Sequence, residues 1–179
     1  MLLVVAATEP ELRGAAAVGT LVCGIGPVDA AAATARRLAE ERPDAVLHVG
    51  IAGCRAGSAL APGRLVIGSE SIYEDVAGEF VRSRLEPDAG LVAAARAALP
   101  GAAFLSIGTS ATVGGSSGCD VEGMEGFAVL RAASLAGVPA LEVRAISNEI
   151  EEPDRARWHF DDALDALAEG VASLVRTLG

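Results

Sequence analysis

The chain has 179 residues, 51% of them hydrophobic, and a net charge of −10 from 14 basic against 24 acidic residues. That balance argues against nucleic acid and anionic membrane surfaces as partners. Every basic residue is Arg, which excludes Schiff-base chemistry and a phosphate-loop lysine together. The length predicts one domain over residues 1–179, large enough for a buried core. Only six residues are aromatic (one Trp, one Tyr, four Phe), so Ala, Val and Leu must fill that core.

Leu2 to Ala7 and Thr20 to Cys23 read as buried strands. Val28 to Glu40 reads as a helix with Val28, Ala31, Ala32, Ala35 and Leu38 on one face, ended by Pro43. Ala45 to Val49 is a strand, followed by a tight turn over Gly50 to Gly53. Arg64 to Ile72 is a strand, Pro87 to Leu99 a helix and Ala103 to Ile107 a strand. A short strand carrying Glu122 gives way to a helix opened by Glu125, with Phe127, Leu130, Ala133 and Ser134. Val138 to Ile146 is a strand. The last helix keeps a helical period through Phe160, Leu164, Leu167, Val171, Leu174, Val175 and Leu178. Strands alternating with helices predict a largely parallel sheet covered on both faces. There is no repeat and no linker.

Cys23, Cys54 and Cys119 fit neither a zinc site nor a disulfide framework, so reduced thiols are expected. The first strand begins without the charged region of a signal peptide, and no apolar run is long enough to span a membrane. A cytoplasmic location is expected, with no metal or cofactor.

Polar or Gly-rich groups recur where strands end: Glu9 and Glu11, Gly24-Ile25-Gly26, Gly50 to Gly53, Glu122 and Glu125, Ser147-Asn148. Ligands of open α/β sheets bind outside the carboxyl ends of strands, so five such endings predict one shared site. Taken singly, each has a bland reading. Gly24-Ile25-Gly26-Pro27-Val28-Asp29 fails as a dinucleotide fingerprint, because Asp29 stands at the third glycine and would repel a pyrophosphate. A plain strand-to-helix turn is expected there. Glu11 fits a helix start, and Asn148 a turn. His48, inside an apolar strand, reads as a satisfied core histidine. Cys54 follows the Gly turn and could be exposed, with no base beside it in sequence. Trp158 either walls a pocket or anchors the last helix. Arg155 and Arg157 belong to a solvated charged loop. Glu122 reads as a carboxylate favoured by a helix N-terminus. Glu125 carries a functional reading, since an ionised carboxylate is a pure acceptor suited to two neighbouring ribose hydroxyls.

Taken jointly, Glu9 and Glu11, Gly24-Ile25-Gly26-Pro27-Val28, His48-Val49-Gly50-Ile51-Ala52-Gly53, Gly123-Met124-Glu125-Gly126 and Arg144-Ala145-Ile146-Ser147-Asn148 resemble the nucleoside phosphorylase and nucleosidase superfamily. Glu122 to Ala128 and Asp154 to Trp158 look most like its futalosine hydrolase family, which releases hypoxanthine from futalosine in an alternative menaquinone pathway. The resemblance covers nearly the whole chain. It implies a three-layer α/β/α sandwich with a central mixed, largely parallel sheet, a small-molecule purine nucleoside as ligand, and an assembly of at least two chains.

The resemblance also implies roles. Glu11 orients or deprotonates the attacking water. Glu125 holds the 2′ and 3′ hydroxyls, with Met124 under the sugar. Ala52 and Gly53 lie beside sugar and base, and Asn148 at purine N7. Phosphorylases of the hexameric type carry Arg and a hydroxyl where this chain has His48 and Ile51, so water is the expected acceptor. Adenine nucleosidases have Asp at Asn148. An amide cannot supply a proton to N7, but it suits a 6-oxopurine. The Val113 to Gly118 segment is short, and only Val113 remains to face the base. The rival readings are a methylthioadenosine/S-adenosylhomocysteine nucleosidase, a purine nucleoside phosphorylase and a catalytically weak nucleoside-binding relative.

Overall fold

The computed structural model describes all residues except 17, 77, 79 and 115–117. Its strands are β1 (Leu2–Ala6), β2 (Gly19–Val22), β3 (Ala45–Cys54), β4 (Leu65–Tyr73), β5 (Arg84–Leu85), β6 (Ala103–Thr109), β7 (Val121–Gly123) and β8 (Ala140–Glu149). The helices are α1 (Pro27–Glu40), α2 (Ala89–Ala98), α3 (Gly126–Ala136) and α4 (Phe160–Leu178). Three-residue and four-residue 3-10 turns, Arg155–Arg157 and Glu9–Leu12, complete the described elements.

The eight strands form one sheet in the order β2-β1-β3-β7-β6-β4-β5, with β8 paired to both β3 and β4. Its pairs are mixed but mostly parallel; β3–β7, β4–β5 and β4–β8 are antiparallel. Successive strand side chains point to opposite faces. Accordingly Leu2, Val4, Leu47, Val49, Leu141 and Val143 pack with Leu167, Val171 and Leu174 of α4, while Leu3, Val5, Val46 and Ala140 pack with Phe127, Val129 and Leu130 of α3. Helices α1 and α3 therefore cover one face and α2 and α4 the other, giving the three layers expected.

The sheet also closes on itself. β3 pairs β8, β8 pairs β4, β4 pairs β6, β6 pairs β7, and β7 returns to β3. Register shifts leave Ser147 of β8 unpaired opposite Ala52/Gly53 and Ser69 of β4 unpaired against β6, the kind of extra residue that bends a strand. Ala52, Cys54, Val66, Ile107, Val121 and Ile146 form a third small core.

The expected tight turn at Gly50 to Gly53 is corrected: β3 runs through these residues to Cys54. Glycine weakens an isolated strand, but here β8 pairs with each of them and β7 with the last. Glu122 lies on the short strand expected, β7, buried opposite Gly53 and Gly108; the helix start expected to favour its charge is capped instead by Glu125. Strands β4, β6 and β8 run one, two and three residues past their expected C-terminal ends, and the two-residue β5 is not among the expected elements. No described helix is long and apolar enough to cross a membrane.

Candidate active site

The strand endings converge as the sequence predicts. Glu11 sits in the turn after β1, whose start is capped reciprocally: Thr8 N–H and Oγ1 donate to Glu11 Oε2 at 2.9 and 2.7 Å. Its other oxygen accepts from the Ile51 backbone N–H at 3.0 Å. A side chain so anchored is 5% exposed and oriented against the end of β3.

Glu125 is the N-cap of α3, and its Oε1 accepts from Gly26 N–H at 2.9 Å. The Gly24-Ile25-Gly26 turn thus serves as an anchor for a carboxylate, with Gly24 and Gly26 at φ of +84° and +94°. Burial pushes the Glu125 carboxyl above its ordinary range of 4.5, against the opposing pull of Arg144 and the Gly26 hydrogen bond.

Between these carboxylates lies a group that the sequence reading did not single out. Arg144 is 1% exposed. Its Nε donates to Glu142 at 2.8 Å, Nη2 to His48 Nε2 at 2.7 Å and Nη1 to the Ile51 carbonyl at 3.3 Å, while Nη2 also stands 3.5 Å from Glu125 Oε2. Burial works against its charge, but Glu142 and then Glu125 outweigh it and hold the guanidinium ionised. Glu142 in turn accepts from Ser71 at 3.0 Å. His48 Nδ1 donates to the Val5 carbonyl at 3.0 Å, which leaves Nε2 as the acceptor for Arg144. Burial, and then the charge of Arg144, keep His48 far below its ordinary pKa and hence neutral. His48 is a satisfied core histidine, as expected, but its partner belongs to the site.

Glycine makes room for this network. A Cβ on Gly50 would lie 2.3 Å from Arg144 Nη1 and 2.9 Å from Glu11 Oε1; one on Gly126 would lie 2.0 Å from Glu142 Oε1. The close approach of charged groups to the backbone therefore requires glycine at both positions. Removing one partner from a buried ionic network typically costs about 3–5 kcal/mol, so this arrangement is a stability risk held for a purpose.

Asn148, 9% exposed, ends the site on β8 opposite Gly53. The Ser147 hydroxyl lies 2.7 Å from its Oδ1, and its Nδ2 donates to the Glu149 carbonyl at 2.8 Å. An amide has two N–H groups and two carbonyl lone pairs, so these contacts leave capacity for one further donor and one further acceptor contact.

Ile51, Ala52 and Gly53 lie along the end of β3, and Met124 directly precedes Glu125 in a half-buried position. Val113 is 45% exposed, and Gly114 beside it approaches the Ile150 carbonyl, two residues beyond Asn148. Gly115, Ser116 and Ser117 of the shortened segment lie outside the described residues. Trp158 is half-buried in the segment before α4. It lines a surface cleft with Arg155, His159 and Phe160, and its Nε1 donates to Glu152 O at 3.1 Å. The next residue ties the segment to the site through His159 N–H to Ser147 O at 2.8 Å. Arg155 and Arg157 are exposed, as a solvated loop requires. Cys54 is corrected: it is 3% exposed, with Sγ 3.4 Å from the Leu60 carbonyl and its thiol pKa raised by burial. Among the described residues, no group of three or more His, Cys, Asp or Glu could hold a metal ion.

A separate cleft lies elsewhere. It holds about 540 Å³ and is bordered by Arg82, Arg84, Asp88, Leu130, Val138 and Ala140, at the opposite end of β8 from Asn148. Arg82, Arg84 and Asp88 are exposed. Charges that proteins bury and hold under constraint are better markers of chemistry than open volume.

A partly closed mixed sheet, helices on both faces and buried Glu and Asn at the strand ends are joined here in one chain, and this chain belongs to the phosphorylase superfamily, which it matches over residues 11–178. Within it the chain groups with the futalosine hydrolases. It is 36% identical over 186 residues to futalosine hydrolase of Streptomyces coelicolor, covering 88% of this chain and 78% of that protein. A 62-residue stretch is 42% identical to the Thermus thermophilus enzyme. The fold is that of a futalosine hydrolase mutant from Helicobacter pylori (TM-score 0.87, 18% identity, 99% of each chain). It is equally that of the 5′-methylthioadenosine/S-adenosylhomocysteine nucleosidase of Neisseria meningitidis in complex with methylthio-immucillin-A (TM-score 0.85, 24% identity, 99% of each chain).

Proposed function

We infer that this chain hydrolyses the N-glycosidic bond of a purine nucleoside, with futalosine as substrate and hypoxanthine as leaving base, a step toward menaquinone. The observation that carries this is the pairing of two buried carboxylates, Glu11 and Glu125, on either side of the glycine-bearing end of β3, with Arg144 between them. Cleavage of a ribosyl–purine bond develops a cationic sugar and an anionic base. An excess of buried carboxylate favours the first. Glu125 accepts from the 2′ and 3′ hydroxyls above Met124, and two such donors favour its ionised form against burial. Glu11, held by Thr8 and Ile51 N–H, orients water. Ala52 and Gly53 flank sugar and base, while Val113 and Trp158 border the base end.

The capacity left on Asn148, one donor and one acceptor, fits the O6 and N7–H of a departing hypoxanthine. A 6-amino group would place a donor against the N–H and leave N7 without an acid. Water is favoured over phosphate because His48 is neutral and committed to Arg144, and Ile51 offers Glu11 a backbone N–H but no hydroxyl. The same reading carries a cytoplasmic enzyme acting as an assembly of two or more chains.

The test is product analysis with futalosine and its 6-amino analogue, in the presence and absence of phosphate. Expected are hypoxanthine and free sugar at a phosphate-independent rate, with the 6-amino analogue cleaved much more slowly. A sugar 1-phosphate as main product overturns hydrolysis. Equal kcat/KM for the two nucleosides overturns the role of Asn148.

A further inference from the structure

Glu142 and His48 grip Arg144 directly and Ser71 holds Glu142; each is 1% exposed or less. His48 also donates from Nδ1 to the Val5 carbonyl of β1, which turns Nε2 toward Arg144. His48 and Glu142 stand opposite each other on β3 and β8, as Gly50 and Arg144 do one step further along. All four lie on the α3 side of the sheet, in rows otherwise filled by Val46 and Ala140. The guanidinium is consequently gripped on two edges, Nε by Glu142 and Nη2 by His48, and pressed over Gly50 and Gly123, whose added Cβ atoms would meet it at 2.3 and 3.0 Å. Its remaining edge faces Ile51 O, Glu125 lies 3.5 Å from Nη2, and Glu11 acts on it through its charge.

We propose that Glu142 and His48 are positioning residues for the hydrolysis: they fix Arg144 so that one cation serves both site carboxylates, Glu11 and Glu125. The proposal rests on the reading of those two carboxylates given above. Without the His48 contact Arg144 could close both prongs on Glu142 and leave Glu125, since a guanidinium prefers a two-pronged contact with a single carboxylate. Held by its Nε edge and one Nη2 proton, it can only share itself. His48 contributes as a neutral acceptor, and Glu142 as a counter-charge that limits how far Arg144 favours Glu125.

The charged and titratable groups around Glu125 are Arg144 and Glu142 from β8, His48 from β3, Glu11 from the turn after β1, and Cys23 after β2, whose thiol is pushed up to about 12 by burial and by Glu125. Of these, only the placement of Arg144 and the charge of Glu142 change in the variants below. In His48→Leu, Nη2 loses its acceptor and Arg144 is no longer held beside Glu125. The acid limb of kcat/KM should then rise by about one pH unit, the scale of a nearby opposite charge. The rate at its optimum should fall by roughly tenfold to a hundredfold, as for a small misplacement of a site group. His48→Gln presents an oxygen where Nε2 stood and should recover most of both. Glu142→Gln keeps an acceptor for Nε but removes a negative charge, so the acid limb should move the other way, to lower pH.

The Glu125 carboxyl titration, followed by carbon NMR on protein with labelled Glu, reads the same shifts without any substrate. Absence of turnover in wild-type protein therefore counts against the proposed function, while the titration still decides the positioning claim. Folding is checked by circular dichroism. Folded His48→Leu with an unmoved Glu125 titration, His48→Gln no closer to wild type than His48→Leu, or an unmoved titration in Glu142→Gln each overturns the proposal. If His48→Leu fails to fold, the isosteric Glu142→Gln decides it alone.

Discussion

The two faces of strands β3 and β8 differ sharply although the same residues alternate between them. Toward α4, Leu47, Val49, Leu141, Val143 and Ala145 form a dry apolar layer. Toward α3, the rows begin as Val46 and Ala140 and then change to His48 with Glu142 and Gly50 with Arg144. One face is stabilised by removing apolar area from water. The other carries desolvated charge that is stable only because every member has a partner. The contrast assigns stability to one face and chemistry to the other, and it can be broken by perturbing each in turn.

The largest effect is expected on the polar side. Glu11→Gln keeps shape but removes the proposed base and leaves one acceptor oxygen for the Ile51 and Thr8 N–H groups; the hydrolytic rate should fall about 10²–10⁴-fold in protein shown by circular dichroism to be folded. Near-normal turnover would remove Glu11 from the mechanism. Leu141→Ala on the dry face should do the reverse. Denaturant titration should show a loss of about 2–5 kcal/mol, while kcat per folded molecule stays near wild type. A matching loss of kcat would mean that the faces are not separable.

Smaller is the effect of a 2′-deoxy substrate, which leaves Glu125 one unpaired oxygen and should cost about 1–3 kcal/mol in kcat/KM. Equal reaction of ribo and deoxy substrates would assign Glu125 another role. Glu125 also sets a pH dependence. Its folded pKa lies above 4.5, so the protonated form is favoured by folding. That contribution to stability is complete below the ordinary value and lost as pH rises through the raised one, whereas ribose binding needs the ionised form. The acid limb of kcat/KM for free enzyme should therefore lie above the ordinary Glu range. The smallest effect is expected at the 540 Å³ cleft, where Arg82→Ala should change stability by no more than about 0.5 kcal/mol and leave turnover unaltered.

Much of this architecture was legible in the residues. Apolar strands, the periodic last helix and the clustering of Glu11, Glu125 and Asn148 at strand ends all follow from local chemistry. The end of β3 was misread because four residues with two glycines look like a turn, and the partner that keeps them extended lies about ninety residues away. Arg144 was passed over because a single Arg in an apolar strand looks incidental. Its signal was alternation: Glu142 and Arg144 fall on one face while Leu141, Val143 and Ala145 fall on the other. Nothing local could show that Gly50, Gly123 and Gly126 are spaces for that pair, since each belongs to a different strand or helix. The closing of the sheet into a circuit depends equally on pairings far apart in sequence.

The contact between Glu11 and the Ile51 amide has a consequence for hydrogen exchange. Central strand amides normally exchange only when the whole sheet opens, because a neighbouring strand must leave. Ile51 N–H is instead bonded to a carboxylate on a four-residue turn. Its proton should be released whenever that side chain departs, without any strand separating. One amide in the middle of the sheet thereby becomes a clock for how often the Glu11 side chain, the group proposed to activate water, leaves its post, readable in the resting protein with no substrate present.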